Sequence, residues 1–432
     1  MLSLLCVWQI WPIRYQGNLF LKSFLNNSVF KISGDNYLGL LIIIAPLLNL
    51  LSGFTYDLYT PSMPAIATYF SASLTEVKNT VTFTLIGISL GCLVFGVLLD
   101  VFGRRRIILL GLLLYTLASF AAIFCHTIEQ LFIVRFLQGM MVAVASIGSR
   151  SIIIDTFTGH RFNIALMYTS LAYGLGPIIA PFIGGVLQYY FGWQANFLVY
   201  ALLSVILMLM VIAYINESIP QCQPFVLKNI ISNYKMVLRH PVFFAAILIG
   251  GFSQILLMIY TTVGAFIVEN ILHYTAITFG NTALFTGCFY LMGTLNNRIV
   301  IKKFTFNQLT HFGFILMSIG CLLQILCAIF ASLNLWTMLL PIGIISYSQG
   351  FVYPNVLARC LQIFPKNAGV ATSTQSCFLV AIAGFATFII SHINVTNLVN
   401  LMLIFVIVIV LQVSVFYFLF KPKELKLSRP QS

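Results

Sequence analysis

Charge is scarce in this chain. Of its 432 residues only 7% are Asp, Glu, Lys or Arg, against about 25% in soluble domains, which excludes a water-soluble globular protein. Acids are scarcer still, nine in all, so any acid within an apolar segment stands out. The nine Cys and six His show no CxxC or Cys/His spacing, and neither a phosphate-binding Gly-rich loop nor a nucleophile elbow occurs. No metal, disulfide or cofactor is therefore expected, and no enzyme. The opening stretch MLSLLCVWQIWPIRYQ has no basic n-region and no A-x-A cleavage pattern, and Pro12 and Arg14 interrupt it; it reads as an interfacial segment or a misassigned start.

What is present is apolar: 60% of residues are hydrophobic and 39 are Phe. Stretches long enough to cross a bilayer begin near Tyr37, Val77, Ile107, Gln130, Phe162, Trp193, Val242, Thr275, Gln308, Leu335, Asn367 and Asn397. The pattern predicts an all-α membrane protein of twelve transmembrane helices in two pseudo-symmetric six-helix bundles. An amino-terminal extension (1–36) precedes one bundle (37–215), a polar linker (216–241) leads to the other (242–420), and a tail (421–432) follows. Gly96-Val-Leu-Leu-Asp100 is echoed by Gly293-Thr-Leu-Asn-Asn297, each closing the second helix of its half, and the echo has lost its acid. The net charge of +13 is spread between the apolar runs, which argues against a nucleic-acid partner and for the bilayer. All basic residues except Lys78, Arg135 and Arg150 fall on one side if the amino terminus is cytoplasmic, so both termini are expected in the cytoplasm.

Three groups of residues need a local reason. Gly96, Asp100, Gly103, Arg104 and Arg105 lie in the hairpin after the second helix, where an acid can accept hydrogen bonds from a helix N-terminus or a guanidinium. Asp155, at the end of the fourth helix, is a partner within reach of Arg104; the amides at Asn367-Ala368-Gly369 are another for Asp100. In the fifth helix Gly174, Gly176, Pro177, Ala180, Pro181, Gly184 and Gly185 combine a flat small-residue face with two missing amide donors. Asp57, near the far end of the first helix, and Arg135, near the start of the fourth, share a depth in the membrane. Insertion of such a charge costs about 2.5 to 3.5 kcal/mol, so it is expected to face a partner. Plainer readings stay open: the Arg triplet can simply fix topology, the glycines can be ordinary helix packing, and Asp57 with Arg135 can be a structural ion pair.

These motifs resemble the major facilitator superfamily, and within it the drug:proton antiporters of the bicyclomycin-resistance (Bcr/CflA) branch. The resemblance covers roughly residues 37 to 420. It rests on the 96–105 loop, on Arg135-Phe-Leu-Gln138-Gly139, on the fifth-helix motif and on Tyr56-Asp57-Leu-Tyr59-Thr-Pro61-Ser-Met-Pro64. Arg150-Ser-Ile-Ile-Ile-Asp155 departs from the branch by holding Ile154 where relatives carry Arg, and Gly192-Trp193-Gln194 lacks the usual Arg after Trp. The resemblance implies the major facilitator fold, a proton-coupled exporter of small, largely apolar compounds such as antibiotics in the bacterial inner membrane, and a monomer. It assigns Asp57 and Arg135 to proton coupling, the 96–105 loop with Asp155 to a conformational latch, and the fifth-helix motif to antiport. Tyr59, Gln138, Gln254, Tyr260, Tyr347, Gln349 and Tyr353 are the polar groups expected in the substrate cavity. Export of an endogenous metabolite or siderophore, or a transport-inactive sensor or scaffold, are the alternatives.

Overall fold

A computed structural model describes residues 28–30, 34–219, 227–301, 303–363, 368–393 and 397–421. Most of the extension, the tail beyond Lys421, Cys6, Cys222, Asn367 and the side chain of Ala368 lie outside the described residues.

The helices are α1 (Gly34–Asp57), α2 (Met63–Phe70), α3 (Leu74–Phe102), α4 (Arg104–Ile123), α5 (Ile128–Thr156), α6 (Gly159–Phe191) and α7 (Gln194–Tyr214). A short helix α8 (Leu227–Leu238) lies in the linker. The second half comprises α9 (Pro241–Phe266), α10 (Ala276–Val300), α11 (Phe306–Phe330), α12 (Leu335–Gln362), α13 (Ala368–Ser391) and α14 (Leu398–Val415). With α1 and α2 taken as one interrupted span, each of the twelve expected spans begins within three residues of the apolar stretch that predicts it. Eleven are long and apolar enough to cross a membrane. The twelfth, α10, has the length but carries Asn281, Thr282, Thr286, Asn296, Asn297 and Arg298.

Polar residues set the boundaries. Ser73 and Glu76 form a capping box before α3, Thr305 and Gln308 another before α11, and Thr127, Thr275 and Asn397 cap α5, α10 and α14. Gly103, at φ +98°, makes the hairpin between α3 and α4, a backbone setting that other residues adopt only under strain.

Helices α1, α3, α4, α5, α6 and α7 pack with one another, and α9 to α14 form the second group. The groups meet mainly where α3 crosses α13 and where α6 crosses α10. The Arg104 end is hereafter the basic end. At the opposite end the junction is closed by polar contacts: Ser391 Oγ donates to Asn79 Oδ1 (2.7 Å), and Thr75 Oγ1 to the Ser391 carbonyl (3.1 Å). Beside them the Lys78 ammonium sits 5.6 Å from the centre of the Phe266 ring.

Candidate functional site

Proline shapes the first site. Pro61 has no N–H to give the Asp57 carbonyl, so α1 stops at Asp57, a 3-10 turn follows at Thr60–Ser62, and the Thr60 hydroxyl donates to that carbonyl instead (2.8 Å). A helix end inside the membrane leaves carbonyls to be satisfied by side chains. The Thr55 carbonyl takes Arg135 Nη2 (2.9 Å) and the Tyr200 hydroxyl (3.0 Å). Arg135 has no solvent-exposed surface, and its Nη1 donates to Gln138 Oε1 (3.0 Å). Its guanidinium lies over Tyr59 at 4.6 Å, with Phe197 and Tyr200 at 5.8 and 6.0 Å. Three ring faces and the carbonyl end of α1 thus hold the cation.

The expected pairing of Asp57 with Arg135 is therefore corrected. Among the described residues Asp57 enters no ion pair, although it is only 2% exposed, and its Oδ2 is buried without a hydrogen-bond partner. The broken helix offers Arg135 a carbonyl where a carboxylate was expected. Glu269 lies at the outer end of its span, in a π turn (Ile267–Ile271) that continues α9; it is partly exposed, but its Oε1 is buried without a hydrogen-bond partner.

At the basic end the hairpin residues converge. Arg104 pairs with Asp100 one turn earlier and, through Nε, with Asp155 Oδ2 at the end of α5 (3.1 Å). The Ser218 hydroxyl donates to the same Asp155 oxygen (3.1 Å). Glu217, in the polar linker just after α7, accepts from the Arg104 amide (2.8 Å) and the Arg105 amide (3.2 Å), capping α4. Gly103 has no side chain to cap with, and a Cβ there would meet Glu217 Oε2 at 2.5 Å. An acid near the end of the sixth span, facing a helix that starts on glycine, was the available signal. Arg105 is fully buried and donates to the Ile212 carbonyl (3.1 Å). Gly96 has the hydroxyl of Tyr234, from α8, 3.9 Å from where its Cβ would be.

The fifth-helix motif lies on α6. A Cβ on Gly176 would stand 2.7 Å from Gly53 Cα in α1; Gly184 abuts the Leu58 carbonyl and Gly185 the Ala276 carbonyl of α10. Gly174 faces open space. Pro177 and Pro181 lie inside the helix, and the Pro181 carbonyl sits 2.8 Å from the Cβ position of Gly280.

The expected cavity residues scatter. Tyr59, Gln138 and Gln349 have no exposed surface, so they line no accessible cavity in this conformation. Tyr59 bonds to the Thr80 hydroxyl (2.8 Å), Gln138 donates to Ser119 (2.9 Å), and Gln349 donates into the second bundle to Gln412 (3.2 Å). Gln254 is buried and Tyr260 is tied to Thr282. Tyr347 and Tyr353 are partly exposed, and Tyr347 lines a crevice of about 520 Å³ with Asn296, Phe304, Phe312 and Phe351. No group of His, Cys, Asp and Glu able to hold a metal occurs among the described residues.

A sequence model of the Major Facilitator Superfamily matches residues 47–388. The chain is 26% identical to an uncharacterized transporter of Rickettsia bellii (strain RML369-C), over 85% of this chain and 94% of that one. It is 23% identical to a bicyclomycin resistance protein homolog of Haemophilus influenzae (strain ATCC 51907 / DSM 11121 / KW20 / Rd), over 88% and 95%. The crystal structure of a D-xylose-proton symporter superposes with a TM-score of 0.70 at 16% identity, covering 89% of this chain and 98% of its own.

Proposed function

The chain belongs to the Major Facilitator Superfamily, and on that premise we propose that this multi-pass transporter exports small, largely apolar compounds across the bacterial inner membrane in exchange for protons, with its basic end in the cytoplasm. The observation that carries the proposal is the buried Asp57 carboxyl at the break between α1 and α2, with an oxygen sealed from every donor. Ionised, such a group is costly; protonated, it is tolerated. This conformation then holds the proton-loaded acid. Arg135, fixed by Thr55, Gln138 and the three rings, keeps the broken helix in shape and supplies the positive field that Asp57 meets once it ionises. The resistance-protein relative supports a drug-like substrate, and the basic end follows the rule that cytoplasmic loops are rich in Lys and Arg. The Asp100, Arg104 and Asp155 contacts latch α3, α4 and α5 at that end, and the glycines of α6 let α1 and α10 approach closely enough to rock against it.

The test is substrate-triggered proton release from purified protein, with a compound panel of antibiotics, siderophores and metabolites. Wild type should release protons with at least one compound, whereas Asp57→Asn should bind that compound and release none. Retained release in Asp57→Asn would transfer the role to another acid, with Glu269 the first to examine.

A further inference from the structure

In the linker helix α8, Val237 is fully buried and Tyr234 is partly buried. Tyr234 reaches between the bundles to hydrogen-bond Ser373 of α13, beside Gly96 of α3. Tyr234, its neighbour Lys235 and, one turn on, Leu238 and Arg239 border a crevice of about 470 Å³ whose other walls are Leu93 of α3 and Phe378 of α13. The crevice has two chemistries. Its floor is apolar, and Leu93 lies seven residues above Asp100 on α3, so at 1.5 Å per residue it reaches about 10 Å into the hydrocarbon. Its mouth is cationic: Lys235 and Arg239 are exposed, and neither has an ion-pair partner among the described residues. Asp100, close enough to Tyr234 to act on it electrostatically, is already paired with Arg104.

We propose that this crevice binds one anionic phospholipid from the leaflet at the basic end, its phosphate against Lys235 and Arg239 and an acyl chain along Leu93, Leu238 and Phe378. Charge complementarity selects the headgroup, and an apolar floor beneath a cationic mouth suits a lipid chain with its phosphate better than a soluble anion. The lipid then fastens α8 over the crossing of α3 and α13, which must shift if the two bundles rock. The inference is independent of proton coupling; the proposed orientation determines only which leaflet supplies the lipid.

The test uses the full chain in nanodiscs of phosphatidylcholine with increasing phosphatidylglycerol. Retained lipid is read by native mass spectrometry and stability by thermal unfolding. Wild type should keep one phosphatidylglycerol and melt higher as its share rises. Lys235→Gln with Arg239→Gln, both exposed, should lower the preference for phosphatidylglycerol roughly thirty-fold, at about 1 kcal/mol per basic residue. Lys303→Gln, which removes an exposed charge elsewhere at the basic end, should leave it unchanged. Leu93→Trp should fill the crevice and release the lipid without altering charge. An undiminished preference in the double variant, retention of the lipid by a folded Leu93→Trp protein, or the same thermal shift from soluble glycerol phosphate would each overturn the proposal.

Discussion

Glu217 and Arg135 do comparable jobs with opposite charge: each satisfies backbone groups that a helix end leaves open. Glu217→Ala strips the Arg104 and Arg105 amides of their acceptor, and the loss should be about 1 to 2 kcal/mol, read as a lowered unfolding temperature in detergent. Glu217→Gln keeps an acceptor and should recover part of it. Arg135→Lys keeps the charge yet cannot bridge Gln138 and Thr55 while lying flat on Tyr59, so about 1 to 3 kcal/mol of local stability should go. Transport should fall with it, and a lysine variant that melts and transports like wild type would refute the account of the cage. The sequence made Arg135 conspicuous but misread its partner. Pro61, four residues after Asp57, already implied an unsatisfied carbonyl at the helix end. Depth in the membrane alone could not say whether a carbonyl or a carboxylate would reach the guanidinium first.

Helices α6 and α1 approach through glycine, and two positions on α6 separate packing from mere composition. Gly176→Ala places a methyl against Gly53 and should push the helices apart, abolishing transport in a protein that still inserts. Gly174→Ala meets nothing within 4 Å and should stabilise the helix by about 0.5 to 1 kcal/mol with transport intact. Side-by-side transport and melting measurements on the two variants decide the point. The second half answers the acid of the first with amides. Asn297 and Asn355 exchange hydrogen bonds (3.3 and 3.1 Å) between α10 and α12, where the first half has Asp100, Arg104 and Asp155. Asn297→Leu should cost about 1 to 3 kcal/mol by stranding Asn355, and adding Asn355→Leu should return most of it, a coupling measurable in a double-mutant cycle. Helix positions were legible because bilayer thickness sets the length of each apolar run. Contacts between helices were legible only where glycine or an isolated charge marked them, which is why the buried sites of Tyr59, Gln138 and Gln349 were missed. Their residue types suit a cavity wall and a polar core equally well.

The two bundles are held together at the end opposite the arginines by groups that water would also welcome. Lys78 is the least comfortable: 3% exposed, over the Phe266 ring, with no carboxylate in ion-pair reach among the described residues. Replacing it with Met removes the cost of burying the ammonium. Lys78→Met should therefore favour this closed arrangement by about 1 kcal/mol, roughly five-fold in population. A thiol placed at Asn79, beside Ser391, should then label more slowly and turnover should drop; faster labelling would mean that the ring contact outweighs the burial cost. The cap on α4 bears on how the protein is made. Chains are completed from the amino terminus, yet the carboxylate that finishes the start of the third span belongs to residue 217, beyond the sixth. On the ribosome α4 must wait, its first amides open, until the whole first bundle has been threaded into the bilayer. A nascent chain ending at Tyr214 and one ending at Ile219 differ by five residues, and only the longer can close the basic end.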